Sequence, residues 1–89
     1  MVKRGRLEII KDILQIIQNN NNSIKPTPLL RKSNLSSKRF LKYLKELLEK
    51  EFVKEVISKK GKEIILTDKG LEYLKRYENI TKFIEEFEL

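Results

Sequence analysis

The chain contains no cysteine and no histidine. The first absence excludes a disulfide framework, a thiolate nucleophile and a thiolate metal site. The second removes the commonest general base and the commonest metal-binding side chain. Glycine is scarce: Gly5, Gly61 and Gly70 stand alone, so there is no glycine-rich loop to cradle a phosphate. No apolar run approaches the roughly 18 residues that a membrane-spanning helix needs. The basic start, Met1-Val2-Lys3-Arg4-Gly5-Arg6, is not followed by the uninterrupted apolar stretch of a signal peptide. Carboxylates are present, but a small basic domain offers them no obvious cleft. The expectation is a cytoplasmic protein that is not an enzyme and needs neither cofactor nor metal.

What is present fits one domain with one core, since the chain has 89 residues. A chain of this size buries roughly 60% of its unfolded surface, so its fold must be simple or gain help from a partner subunit. Charged residues make up 37% of it, yet long periodic segments argue against disorder. Lys and Arg number 20 against 13 Asp and Glu, a net charge of +7. The excess is uneven. Residues 1–50 carry +8, residues 51–89 carry −1, and residues 77–89 alone carry −3. Such polarity predicts a basic face for a polyanion and a tail that does not touch it.

Hydrophobic spacing predicts a first helix from about Arg6 to Asn19. Leu7, Ile10, Leu14 and Ile17 form one stripe, and Ile9, Ile13 and Ile16 widen it to about half the circumference. A stripe that wide either meets two surfaces, one of them on another subunit, or is packed all round within one core. The polar run Asn19 to Ser23 should end the helix. Thr27 followed by Pro28 reads as an N-cap and first helical residue, opening a short second helix from about Thr27 to Ser33. Asn34-Leu35-Ser36 is a tight connector, with Leu35 as the plug of the turn. A third helix follows from about Ser36 to Lys50, capped by Ser36. Its apolar stripe is Phe40, Leu41, Leu44, Leu47 and Leu48, with Tyr43 alongside. The opposite face holds Lys38, Arg39, Lys42 and Lys45, with Glu46 and Glu49 only at the far end.

Phe52 to Ser58 reads as a strand, Lys59-Lys60-Gly61-Lys62 as a turn and Glu63 to Leu66 as the returning strand. Thr67 caps a last helix that runs to about Phe87, with Asp68 in its first turn. Gly70 inside that helix costs about 1 kcal/mol relative to Ala and permits close backbone packing. Leu71 and Leu74 should point into the core. Tyr73, Tyr77, Ile80, Ile84 and Phe87 alternate in steps of four and three, which is a heptad seam suited to dimerisation.

Three helices, a hairpin and a further helix make an α+β, mainly helical fold: a winged helix-turn-helix at residues 1–66 with a C-terminal helix at 67–89. In that motif the helix after the tight turn enters the DNA major groove by its N-terminal residues. Those positions are Ser36, Ser37, Lys38, Arg39, Lys42 and Tyr43, with Lys45 reaching the flanking backbone. Lys59, Lys60 and Lys62 at the wing would lie along phosphates or an adjacent minor groove. Each lysine alone is an ordinary solvated charge; their joint placement on helix and wing is the signal.

The residues also resemble a family. The stretch from Asn34 to Lys50, NLSSKRFLKYLKELLEK, looks like the recognition-helix segment of archaeal winged-helix DNA-binding proteins. Ile65-Leu66-Thr67-Asp68-Lys69-Gly70 matches the Leu-Thr-x-Lys-Gly pattern at that family's strand-to-helix junction, and Arg6-Leu7-Glu8-Ile9-Ile10 fits its first helix. Over about residues 4–76 the chain is similar to the small Sulfolobus chromatin-associated proteins, whose C-terminal helix dimerises as an antiparallel coiled coil. The resemblance implies a homodimer presenting two DNA-reading helices. There are departures: Glu51 stands where the family usually has glycine after the third helix, and the last helix is shorter. The expectation is double-stranded DNA binding, as transcription regulator or nucleoid-associated protein. The alternative is a winged-helix interaction module that docks an acidic protein partner. RNA binding is disfavoured because most Tyr and Phe residues fall on apolar stripes rather than on an exposed stacking platform.

Overall fold

The computed structural model describes residues 5–89, so the first four residues of the basic start lie outside the described residues. Four helices and three strands follow in the order α1 (Arg6–Asn19), β1 (Ser23–Ile24), α2 (Pro26–Ser33), α3 (Ser37–Glu49), β2 (Val53–Ser58), β3 (Gly61–Leu66) and α4 (Asp68–Glu86). The sheet is antiparallel in the order β1-β3-β2, so the returning strand of the hairpin is its centre.

β1 is the element that the sequence reading lacks. Ser23 pairs with Ile65 and Ile24 with Ile64, and Ile24 is buried. The asparagine run ahead of it supplies the necessary reversal. Asn21 and Asn22 both adopt left-handed φ, at 61° and 65°, a conformation asparagine tolerates better than most residues. Asn22 N–H donates to the Ile17 carbonyl at 2.9 Å, and the Asn22 carbonyl accepts from Leu66 N–H at 3.0 Å. The run therefore stops α1 and ties it to the central strand.

One core lies between the helices and the sheet. α1 packs against α2, α4, β1 and β3, which accounts for its wide stripe: Ile9, Ile10, Ile13, Leu14 and Ile17 are all buried within one chain. Leu7, expected on the stripe, is exposed. The start of α2 also differs from expectation. The N-cap is Lys25, Pro26 begins the helix, and no side chain caps it. Thr27 is thus inside the first turn, where a proline at the helix start needs no N–H partner. On α3 the buried line is Phe40, Leu44 and Leu47. Leu41, expected among them, is 62% exposed.

The end of α3 follows the Schellman pattern. Phe52 N–H donates to the Leu47 carbonyl at 2.9 Å, and Glu51 N–H to the Leu48 carbonyl at 3.1 Å. Glu51 has φ 62°, the conformation glycine serves best. Glu51→Gly is expected to stabilise the fold by about 0.5–1 kcal/mol, by relieving the left-handed strain of a residue with a Cβ. A shift of the urea midpoint to higher concentration checks it.

Thr67 joins this turn to α4. Its hydroxyl donates to the Glu51 carbonyl at 2.6 Å and accepts from Gly70 N–H at 3.1 Å. Gly70 and Leu74 are buried, so the first half of α4 is part of the core.

Candidate nucleic-acid interface

α3 begins where Asn34, at φ 59°, turns the chain out of α2. Leu35 is half-buried against the core. Ser36 caps α3, its hydroxyl accepting from Arg39 N–H at 3.3 Å. No acidic residue lies in the first turn of α3, so the positive end of the helix dipole adds to the charge beside it. Ser36, Ser37, Lys38, Arg39, Lys42 and Lys45 are all exposed.

Lys38, Lys42 and Lys45 are spaced by four and three and so form one row along the solvent side. Arg39 lies on one flank of that row, with Tyr43, which is only half-exposed and packs against the core. Ser37 and Leu41 lie on the other flank. Lys38, Arg39, Lys42 and Lys45 make no ion pair among the described residues, whereas Glu46 at the far end is engaged by Arg6 and, at 3.2 Å, by Lys50. The acidic end of α3 is thereby partly neutralised and its basic end is left open.

The wing adds charge at a second place. Ser58 opposes Gly61 across the tight turn Lys59-Lys60, and the Ser58 hydroxyl accepts from Lys60 N–H at 3.2 Å. β3 already starts at Gly61, so Lys62, expected in the turn, is a strand residue opposite Ile57. Lys62 pairs with Glu55 at 3.4 Å, while Lys59 and Lys60 are exposed without an ion pair among the described residues. Ile57 is 79% exposed. Beyond the assigned set, Arg31 and Lys32 are exposed in the last turn of α2, one connector away from the start of α3. Their only sequence signal is the charge excess of the first half.

The heptad positions of α4 divide into two groups. Tyr73 is held by its own domain: its hydroxyl donates to the Leu7 carbonyl at 2.8 Å and its ring lies 5.3 Å from Phe52. Burial pushes the Tyr73 phenol above its usual range, the adjacent Tyr77 adds to the shift and Arg6 opposes it. The phenol therefore remains a donor. Tyr77 is half-buried, with the Lys11 ammonium 5.7 Å from its ring centroid. Ile80, Ile84 and Phe87 are instead bare, and so is Phe83, whose ring lies 4.8 Å from that of Phe87. Beside them α1 and α4 enclose an open groove of about 560 Å³ that includes Gln15, Gln18, Thr81 and Glu85.

Among the described residues no cluster of three or more potential metal-binding side chains occurs, and no helix is long and apolar enough to cross a membrane.

Comparison with known proteins gives a consistent fold. A family model described as winged helix-turn-helix matches residues 3–85. Among solved structures, F93 from STIV, a winged-helix DNA-binding protein, superposes with a TM-score of 0.75 at 19% identity, over 90% of this chain and 92% of that one. Sso10a-2, a DNA-binding protein from Sulfolobus solfataricus, gives a TM-score of 0.76 at 24% identity, over 94% of this chain and 85% of that one. No curated protein matches the sequence.

Proposed function

This chain belongs to the winged helix-turn-helix family, and from that premise we propose that it binds double-stranded DNA as a homodimer. The role is that of a transcription regulator or nucleoid-associated protein in the cytoplasm. One observation supports the reading above the others: Lys38, Lys42 and Lys45 form an exposed row, without ion pairs among the described residues, on the helix that follows the tight turn. In such folds that helix enters the major groove. Ser36 and Ser37, with the helix N-terminus, suit phosphate oxygens. In this reading Lys38 and Arg39 contact guanine O6 and N7, with Tyr43 on the same flank as Arg39. Lys45 serves the flanking backbone. Lys59 and Lys60 extend the contact along the duplex, with Lys62 behind them in the strand.

The dimer is supported by the bare end of α4. Ile80, Phe83, Ile84 and Phe87 expose large apolar side chains on one helix, and a patch of that kind on a small protein marks a contact surface. Tyr77 borders this seam on the domain side, whereas Tyr73, expected in the seam, is engaged within its own domain by Leu7 and Phe52. The partner is a second copy of α4, paired through Ile80, Phe83, Ile84 and Phe87.

The test is a titration of random-sequence duplex across a salt series, with the mass of the same sample measured in solution. A dimer is expected, with log affinity falling linearly against log salt at about 0.9 per phosphate contact. Ile84→Glu is expected to give monomers, because a charge would be buried unpaired in the seam. Strong preference for particular sequences would favour regulation; uniform binding would favour an architectural role. Absence of binding at low salt by the folded protein would overturn the DNA reading and favour an acidic protein partner.

A further inference from the structure

Leu41 is not needed by the core. Phe40, Leu44 and Leu47 fill the buried side of α3, and Leu41 stands 62% exposed on the flank of the lysine row. Its neighbours one turn away are Ser37 on the same flank and Lys45 in the row, and its exposed neighbour in sequence is Lys42. Leucine at such a place loses solvation free energy and gains no packing within the chain. The basic surroundings define the partner by charge: whatever covers Leu41 is polyanionic nearby.

The major groove of DNA presents one apolar group among its base edges, the C5-methyl of thymine. We infer that Leu41 is a specificity-determining residue that contacts a thymine methyl while the adjacent lysines hold the phosphates. The inference rests on the DNA-binding reading and deepens it. Lysine and serine side chains supply position and hydrogen bonds; Leu41 supplies the only purely apolar recognition on the exposed part of α3 that leads into the groove. It would place an A·T pair opposite the second turn of the helix.

The experiment compares two A·T-rich duplexes of identical sequence, one with thymine and one with deoxyuridine throughout, which differ only in that methyl. Wild-type protein and Leu41→Ala are titrated against both. Because Leu41 is exposed, the variant is expected to keep the wild-type urea midpoint. A methyl removed from water is worth about fourfold in affinity. Wild type is therefore expected to bind the thymine duplex about fourfold more tightly per recognised site, and Leu41→Ala to bind the two alike. Equal binding of both duplexes by wild type would overturn the inference and leave the DNA reading intact. Discrimination retained by Leu41→Ala would overturn it too, since the methyl would then be read elsewhere or through duplex stiffness. Failure of wild type to bind either duplex would overturn both readings together.

Discussion

Gly70→Ala is expected to destabilise the protein by about 3 kcal/mol, at the upper end of overpacking costs. In an unconstrained helix the same change would stabilise by about 1 kcal/mol; here the sign reverses. A Cβ at Gly70 would collide with the Phe52 carbonyl oxygen and come within 2.6 Å of Leu66 Cδ1 and 3.3 Å of the Phe52 carbonyl carbon. The leucine tip can rotate. The carbonyl cannot, because it accepts from Thr67 N–H at 3.2 Å and belongs to the residue that closes the left-handed turn after α3. Relief would require the start of α4 to move away from the Phe52 turn and loosen the buried Leu74. Urea denaturation reads the loss, with Gly5→Ala as companion, since a Cβ there meets nothing within 4 Å. An unchanged midpoint for Gly70→Ala would mean that the start of α4 shifts away from Phe52 at little cost.

The second large effect is on binding. The triple variant Lys38→Ala, Lys42→Ala, Lys45→Ala is expected to weaken DNA binding about a hundredfold near physiological salt and to lower the salt slope by about 2–3 per bound chain. The same variant is expected to be at least as stable as wild type. Lys38 and Lys42 are four residues apart and Lys42 and Lys45 three, so like charges repel along the row. Alanine removes that repulsion and is the better helix former. Binding lost while stability holds or rises separates an interface from a structural role. Undiminished affinity would move the contact to Arg31 and Lys32 or to the wing.

That row was legible because its information is local. Lysines at helical spacing, a serine cap and an apolar stripe on the far side all lie within one short segment. The same holds for Thr67, whose capping role needs only Gly70 three residues on, and for the hairpin. What was not legible depends on distant partners. Ser23-Ile24 carries no strand pattern of its own; it is a strand because Ile64 and Ile65 lie opposite. Leu41 is adjacent to Phe40 and fits the apolar pattern as well as Leu44 does. Which side of the stripe is covered depends on where β2 and α2 settle against α3, and the core chose Phe40, Leu44 and Leu47. The wide stripe of α1 was ambiguous between one core and two surfaces for the same reason. Its answer came from β1 and α4 closing around it. Glu51 shows a third kind of gap: the departure from glycine was visible, but only the backbone shows that the left-handed turn is kept regardless.

In the proposed dimer α4 acts as a ruler. One end is fixed to the domain by Thr67, Gly70 and Leu74, and the other carries the bare side chains of the seam. A helix rises 1.5 Å per residue, so slipping the pair by one heptad would move one α3 relative to the other by about 10 Å. On a duplex with about 34 Å per turn, that is about three base pairs and close to a third of a turn. Half-sites in phase for one register are then out of phase for the next. In that proposed dimer the accepted spacing of sites would be set far from the helix that reads them, at Ile80, Phe83, Ile84 and Phe87.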